Sequence, residues 1–152
     1  MQSILALDPG ESTGWCFLDR ENNMQAGTAP KSHISVAKLL DELDPDVVIY
    51  ETFKLYPSKA QSLIWNSFYP CEVIGVIEYK CAFKGMLSGT SGEHYRPKLV
   101  KQAPAVKRYA GTLPKKFAAL SKETKLTEHS KDACQHLCYY LRQTGAIDRV
   151  MK

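Results

Sequence analysis

The sequence predicts an α/β fold: a central five-stranded mixed sheet, with an antiparallel three-strand meander and parallel strands beside it, flanked by helices. Three observations carry this. Three short apolar runs follow one another through turns too short to hold a helix, which makes them antiparallel neighbours. An amphipathic helical stretch then leads into a fourth strand, which is thereby free to run parallel to the first. The chain has 152 residues, enough for one domain over 1–152 that buries about two-thirds of its unfolded surface.

The elements follow in order. "SILALD" ends its apolar run on Asp8 before a Pro-Gly turn, "TGWCFLD" is the second strand, and "MQAGTA" is the third after the "ENN" turn. "SHISVAKLLDEL" places Ile34, Ala37, Leu40 and Leu43 on one helical face, with Ser32 or Ser35 as its cap. "DPDVVIYE" is a buried strand ending on Glu51. From there to about Lys84 the pattern predicts a long apolar helical unit kinked at Pro70, with Trp65, Phe68 and Tyr69 ahead of a face of Val73, Ile74, Ile77 and Cys81. "GMLSGTSG" is a loop, and "EHYRP" is the expected fifth strand. The stretch from Lys98 to Lys131 carries Pro104 and Pro114 and is expected to hold short helices. A last helix from about Ser130 to Gln143 has the stripe Ala133, Leu137 and Leu141 and is ended by Gly145.

Composition narrows the functional classes. The cysteines Cys16, Cys71, Cys81, Cys134 and Cys138 are odd in number and lack CxxC spacing, so they are expected as small core residues in a reducing compartment. No basic segment precedes an apolar run at the N-terminus, and "SLIWNSFYPCEVIGVIEYKCAF" is interrupted by polar and charged residues. Neither a secretory leader nor a membrane span is expected, and the location is expected to be cytoplasmic. The net charge of +4 conceals an asymmetry: residues 1–78 hold 5 Lys and Arg against 11 Asp and Glu, whereas residues 79–131 hold 12 against 3. A basic half interleaved with Tyr95, Tyr109 and Phe117 suits a polyanion, although solvated basic faces are also common on proteins with no such partner.

Three acids stand out. Asp8 and Glu51 each end a strand, and if those strands are parallel neighbours their carboxylates converge. His129 and Asp132, three residues apart, share a face of a helical turn that could dock over the same edge. Clustered carboxylates repel one another unless cations lie between them, and Mg²⁺ is the natural hard ion for oxygen ligands. Such a site beside a basic surface suits metal-dependent cleavage of a phosphodiester. Each residue also has a plainer reading: Asp8 as a turn former, Glu51 as an exposed strand end, and His129 with Asp132 as an ordinary helix first turn.

At these residues the sequence resembles the RuvC-type Holliday junction resolvases of the ribonuclease H-like superfamily. "ILALDPGESTGW" looks like that family's first-strand motif, "DVVIYETF" like its strand ending in a catalytic glutamate, and "HSKDA" like its C-terminal helix motif, in the same order over nearly the whole chain. The resemblance implies a ribonuclease H-like fold and metal ligands at Asp8, Glu51, His129 and Asp132, with Asp8 bridging two Mg²⁺ ions for which Mn²⁺ substitutes. "LVKQ" makes Lys101 the implied charge stabiliser near the scissile phosphate. Lys107, Arg108, Lys115 and Lys116 are further candidates for DNA contact, and Phe53 or Tyr56 for an aromatic wedge at the junction centre. His136 stands where an apolar residue is expected and is read as a packed or solvent-linked histidine.

The implied activity is resolution of four-way DNA junctions by paired nicks leaving 5′-phosphate and 3′-hydroxyl ends. The two-fold symmetry of a junction suits a homodimer, with the apolar unit from about Leu63 to Phe83 as its interface. Two other classes share parts of this pattern: a non-catalytic or RNA-processing factor of the same superfamily, and an actin-like or sugar-kinase-like ATP-binding unit.

Overall fold

The computed structural model describes residues 1–31, 33–54, 68–87 and 96–152. Five strands form one sheet: β1 (Ile4–Asp8), β2 (Thr13–Leu18), β3 (Met24–Ala29), β4 (Val47–Glu51) and β5 (Lys98–Gln102), in the order β3-β2-β1-β4-β5. The meander β1-β2-β3 is antiparallel, and β4 runs parallel to both β1 and β5. The mixed sheet is therefore the one predicted. The helices are α1 (His33–Leu43), α2 (Tyr69–Leu87), α3 (Lys115–Glu123), α4 (Glu128–Gln143) and α5 (Asp148–Met151), with a 3₁₀ turn over Pro104–Tyr109.

Strand alternation divides the core in two. Ile4, Ala6, Cys16, Leu18, Val47, Ile49 and Val100 face α4, whose Ala133, Cys134, Leu137, Cys138 and Leu141 cover them. Leu5, Leu7, Phe17, Val48, Tyr50 and Leu99 face the other way, onto Val36 and Leu40 of α1 and Val73, Ile77 and Cys81 of α2. Period-two alternation puts Asp8, Glu51 and Gln102 on the α4 face and Lys101 on the α1–α2 face.

Helix α4 is held firmly at both ends. The Thr127 side chain caps it by accepting from the Ser130 backbone N–H, and the Ser130 hydroxyl donates to the Gly27 carbonyl at 2.6 Å. At the other end Gly145 takes φ +71°, the Gly145 N–H donates to the Arg142 carbonyl, and the Ala146 N–H donates to the Leu141 carbonyl at 2.7 Å.

Four sequence expectations are corrected. The fifth strand lies at Lys98–Gln102 rather than in "EHYRP", because Pro97 cannot supply a ladder donor and the pairing with β4 begins just after it. Pro70 does not kink a helix; it is the second residue of α2, where its missing N–H costs nothing. Ile34 is 67% exposed, and the buried stripe of α1 is Val36 and Leu40, since the helix packs on its other edge. Cys71 is exposed, whereas the other four cysteines are buried, with the Cys81 thiol pushed up to about 11 by burial. Among the described residues no helix is long and apolar enough to cross a membrane.

Candidate metal centre

The site is assembled by the two central parallel strands and the first turns of α4. The β1–β4 register pairs Leu7 with Tyr50, so the next residues, Asp8 and Glu51, end their strands side by side on the face that α4 covers. Gly14, paired with Asp8 across β1–β2, lets the helix approach: a Cβ there would stand 2.0 Å from the His129 carbonyl carbon. Only glycine permits that contact. Asp132 is thereby carried over the strand ends, and carboxylate oxygens of Asp8, Glu51 and Asp132 lie within 4.8 Å of one another.

The electrostatics are those of a crowded anionic site. Asp8 is 5% exposed, and burial, together with repulsion from Glu51 and Asp132, holds its carboxyl above the usual range against a 2.7 Å bond from His129 Nδ1. Burial also works against the Glu51 carboxylate, but bonds from His136 and Lys107 outweigh it and leave Glu51 below the usual range. Lys107 reaches in from the 3₁₀ turn, with Nζ 3.0 Å from Glu51 Oε2 and 2.6 Å from Asp132 Oδ2. Burial opposes the Lys107 ammonium, yet the two carboxylates raise its pKa.

This arrangement fits a hard divalent cation. Three converging carboxylates supply oxygen ligands, and the protein's own Lys107 ammonium stands between two of them as a stand-in cation. Asp8, Glu51 and Asp132 form the cluster, while His129 lies beside it, bonded to Asp8 through Nδ1 with 47% of its side chain exposed.

The other candidates are spread more widely. Lys101 projects to the opposite sheet face, where its Nζ lies 3.2 Å from Glu78 Oε1, the atom that also accepts from the Tyr50 hydroxyl. One step of strand alternation sets that orientation, so Lys101 is not brought to the carboxylate cluster. Lys116 donates to the Asn22 carbonyl in the β2–β3 turn, at the end of the sheet away from Asp8. Lys115 and Arg108 are exposed, and Arg108 adjoins Lys107 on the 3₁₀ turn. Phe53 is 37% exposed, pairs with Phe68 at 5.8 Å between ring centroids, and lines a groove with Pro9, Glu51, Thr52 and Pro104. Tyr56 lies outside the described residues.

Two participants were not anticipated. His136 is fully buried, with Nε2 2.7 Å from Glu51 Oε2 and Nδ1 2.6 Å from Gln102 Oε1. Its spacing of four from Asp132 was the available signal. Lys107 was expected on the DNA surface rather than among the carboxylates.

No protein-family model matches the chain, and no curated protein matches it. Solved structures do. T. thermophilus RuvC in complex with Holliday junction substrate aligns with TM-score 0.58 and 13% identity, over 96% of this chain and 98% of that one. A second Thermus thermophilus RuvC structure aligns with TM-score 0.52 and 13% identity, over 95% and 97%. The chain thus has the fold of T. thermophilus RuvC, the ribonuclease H-like arrangement that its three motifs resemble.

Proposed function

We propose that this protein is a divalent-metal-dependent endonuclease that resolves four-way DNA junctions, acting as one ribonuclease H-like domain per subunit of a homodimer. The observation that carries this reading is the convergence of Asp8, Glu51 and Asp132 at the strand ends, within 4.8 Å of one another. These three residues would hold Mg²⁺, with Mn²⁺ substituting, and His129 is a further candidate ligand. When bound, a pair of such ions supplies charge stabilisation at the attacking and leaving oxygens of the phosphodiester.

The chain's own residues do the rest. Asp8 is held by His129, so that carboxylate does not have to be ordered when a phosphate arrives. Lys107 neutralises Glu51 and Asp132 in the metal-free protein, and Arg108 and exposed Tyr109 beside it extend a cationic and aromatic edge towards a DNA backbone. The groove from Glu51 to Phe53 offers a path for a strand, with Phe53 placed as the wedge.

The likeness to RuvC bound to Holliday junction substrate supports branched DNA as the substrate class. Paired nicks need two sites related by two-fold symmetry. The outward face of α2 supports a self-association surface: Gly75 has open space around it, and Tyr79, 63% exposed, stacks on Phe83 at 5.4 Å. Residues 63–67 of the expected interface lie outside the described residues.

The test is cleavage of synthetic four-way junctions, flaps and linear duplex across a Mg²⁺ titration. Symmetric nicks on junctions, absent in EDTA and absent on duplex, are expected. Metal-independent cleavage, or no preference for branched DNA, contradicts the reading.

A further inference from the structure

Behind the Glu51 carboxylate lies a pair of buried polar side chains to which the metal-site motif assigns no role. His136 sits on α4 one turn beyond Asp132 and is fully buried, and Gln102 ends β5 with 6% of its surface exposed. Gln102 pairs in register with Glu51, and its carbonyl accepts from the Thr52 N–H at 2.9 Å. The imidazole is therefore clamped between α4 and the last residues of two adjacent strands. No buried side-chain nitrogen or oxygen among the described residues lacks a partner, and both ring nitrogens are used.

One donor is assigned by elimination. An ionised Glu51 can only accept, so His136 Nε2–H donates to it, while Nδ1 lies 2.6 Å from Gln102 Oε1. The ring thereby links the end of β5 to the carboxylate. An apolar side chain of similar size would fill the same space with no need for partners. The ring instead spends one bond on a member of the acid cluster.

We propose that His136, held by Gln102, is a positioning residue that fixes the orientation of the Glu51 carboxylate in the metal centre. The inference rests on the metal-dependent reading given above. His136 and Lys107 both contact Glu51 Oε2, so two side chains on different elements hold the same carboxylate oxygen. Without the ring, Lys107 alone would hold the carboxylate, and the long lysine stem leaves it free to turn. Hydrogen-bonded partners of metal ligands commonly act in this way.

The experiment measures Mn²⁺ affinity of the full chain by electron paramagnetic resonance, with thermal melting in EDTA as the folding control. His136→Leu is expected to fold and to bind Mn²⁺ about 10- to 100-fold more weakly. His136→Gln, whose amide N–H can donate where Nε2–H did, is expected to stay within about threefold of wild type. Adding His136→Leu to Glu51→Gln is expected to cost nothing further, since the ring acts through that carboxylate. Unchanged affinity in a folded His136→Leu protein overturns the inference and leaves the nuclease reading intact. If that variant does not fold, Gln102→Leu reads the same link: weakening of about three- to tenfold supports it, and unchanged affinity overturns it. A wild-type protein that binds no Mn²⁺ overturns the nuclease reading, and this inference with it.

Discussion

The Lys107 ammonium stands 2.6 Å from the Asp132 carboxylate, inside the acid cluster rather than on the surface. It therefore competes with any divalent ion for the same oxygens. Lys107→Met is expected to bind Mn²⁺ about three- to tenfold more tightly while nicking at least about tenfold more slowly, because the cation that meets the phosphate is gone. Calorimetric titration and single-turnover cleavage check the two effects separately. Weaker Mn²⁺ binding in the variant would show that the lysine supports the metal instead of competing with it.

Asp8→Asn separates catalysis from folding. Burial, with repulsion from Glu51 and Asp132, raises the Asp8 carboxyl above its ordinary value. A carboxyl raised on folding favours the folded state below its unfolded range and opposes it above. At pH 7 in EDTA the Asn variant is therefore expected to melt higher than wild type, and the gap should close as the pH falls towards about 4. In Mg²⁺ the order should reverse, because only wild type gains the full stabilisation of a bound ion. Nicking should be lost while junction binding in Ca²⁺ persists through phosphate contacts. A melting temperature below wild type in EDTA at pH 7 would contradict the electrostatic account.

Gly14→Ala tests how closely α4 must lie on the sheet. The added Cβ would fall 2.0 Å from the His129 carbonyl carbon, so the helix start must shift. A loss of about 1–3 kcal/mol in urea unfolding is expected, with weaker Mn²⁺ binding because Asp132 moves with the helix. Wild-type stability and metal affinity would show that the close approach is dispensable.

At the opposite end of β1 and β4 from the acid cluster, Asp46 ties the start of β4 to Ser3 ahead of β1. It accepts from the Ser3 N–H at 2.8 Å and from Arg20 Nη2 at 2.8 Å. The Arg20 bond, with those from Ser3, lowers the Asp46 carboxyl to about 2 against the opposing effect of burial. Its stabilisation is present above the unfolded carboxyl range and is lost as the pH falls through about 2. Asp46→Asn is expected to cost about 1 kcal/mol at pH 7, since Arg20 is mostly exposed and solvent screens the pair, and progressively less below about pH 4. Urea unfolding across that range decides. A cost independent of pH would place the stabilisation in packing rather than in charge.

The meander, the parallel fourth strand and the position of Asp8 and Glu51 at strand ends were legible in the sequence because each has a local cause. Short turns force β1, β2 and β3 into a meander, the helical crossover allows β4 to lie parallel, and an apolar run that closes on an acid puts Asp8 and Glu51 at the strand ends. The sequence misleads where a side chain's direction depends on register. Lys101 sits one step from Gln102, and that step sends it to Glu78 on the far face. Lys107 and His136 meet the same glutamate 56 and 85 residues back along the chain, a long-range pairing that neither a lysine in a basic stretch nor the spacing of His136 from Asp132 specifies.

The most direct measurement of the central claim is anomalous diffraction from crystals of the wild-type protein soaked in Mn²⁺. The account predicts a manganese peak coordinated by Asp8, Glu51 and Asp132, with Lys107 withdrawn from the position it takes between Glu51 and Asp132. Saturating Mn²⁺ with no peak among the three carboxylates, and Lys107 still bridging two of them, would contradict it.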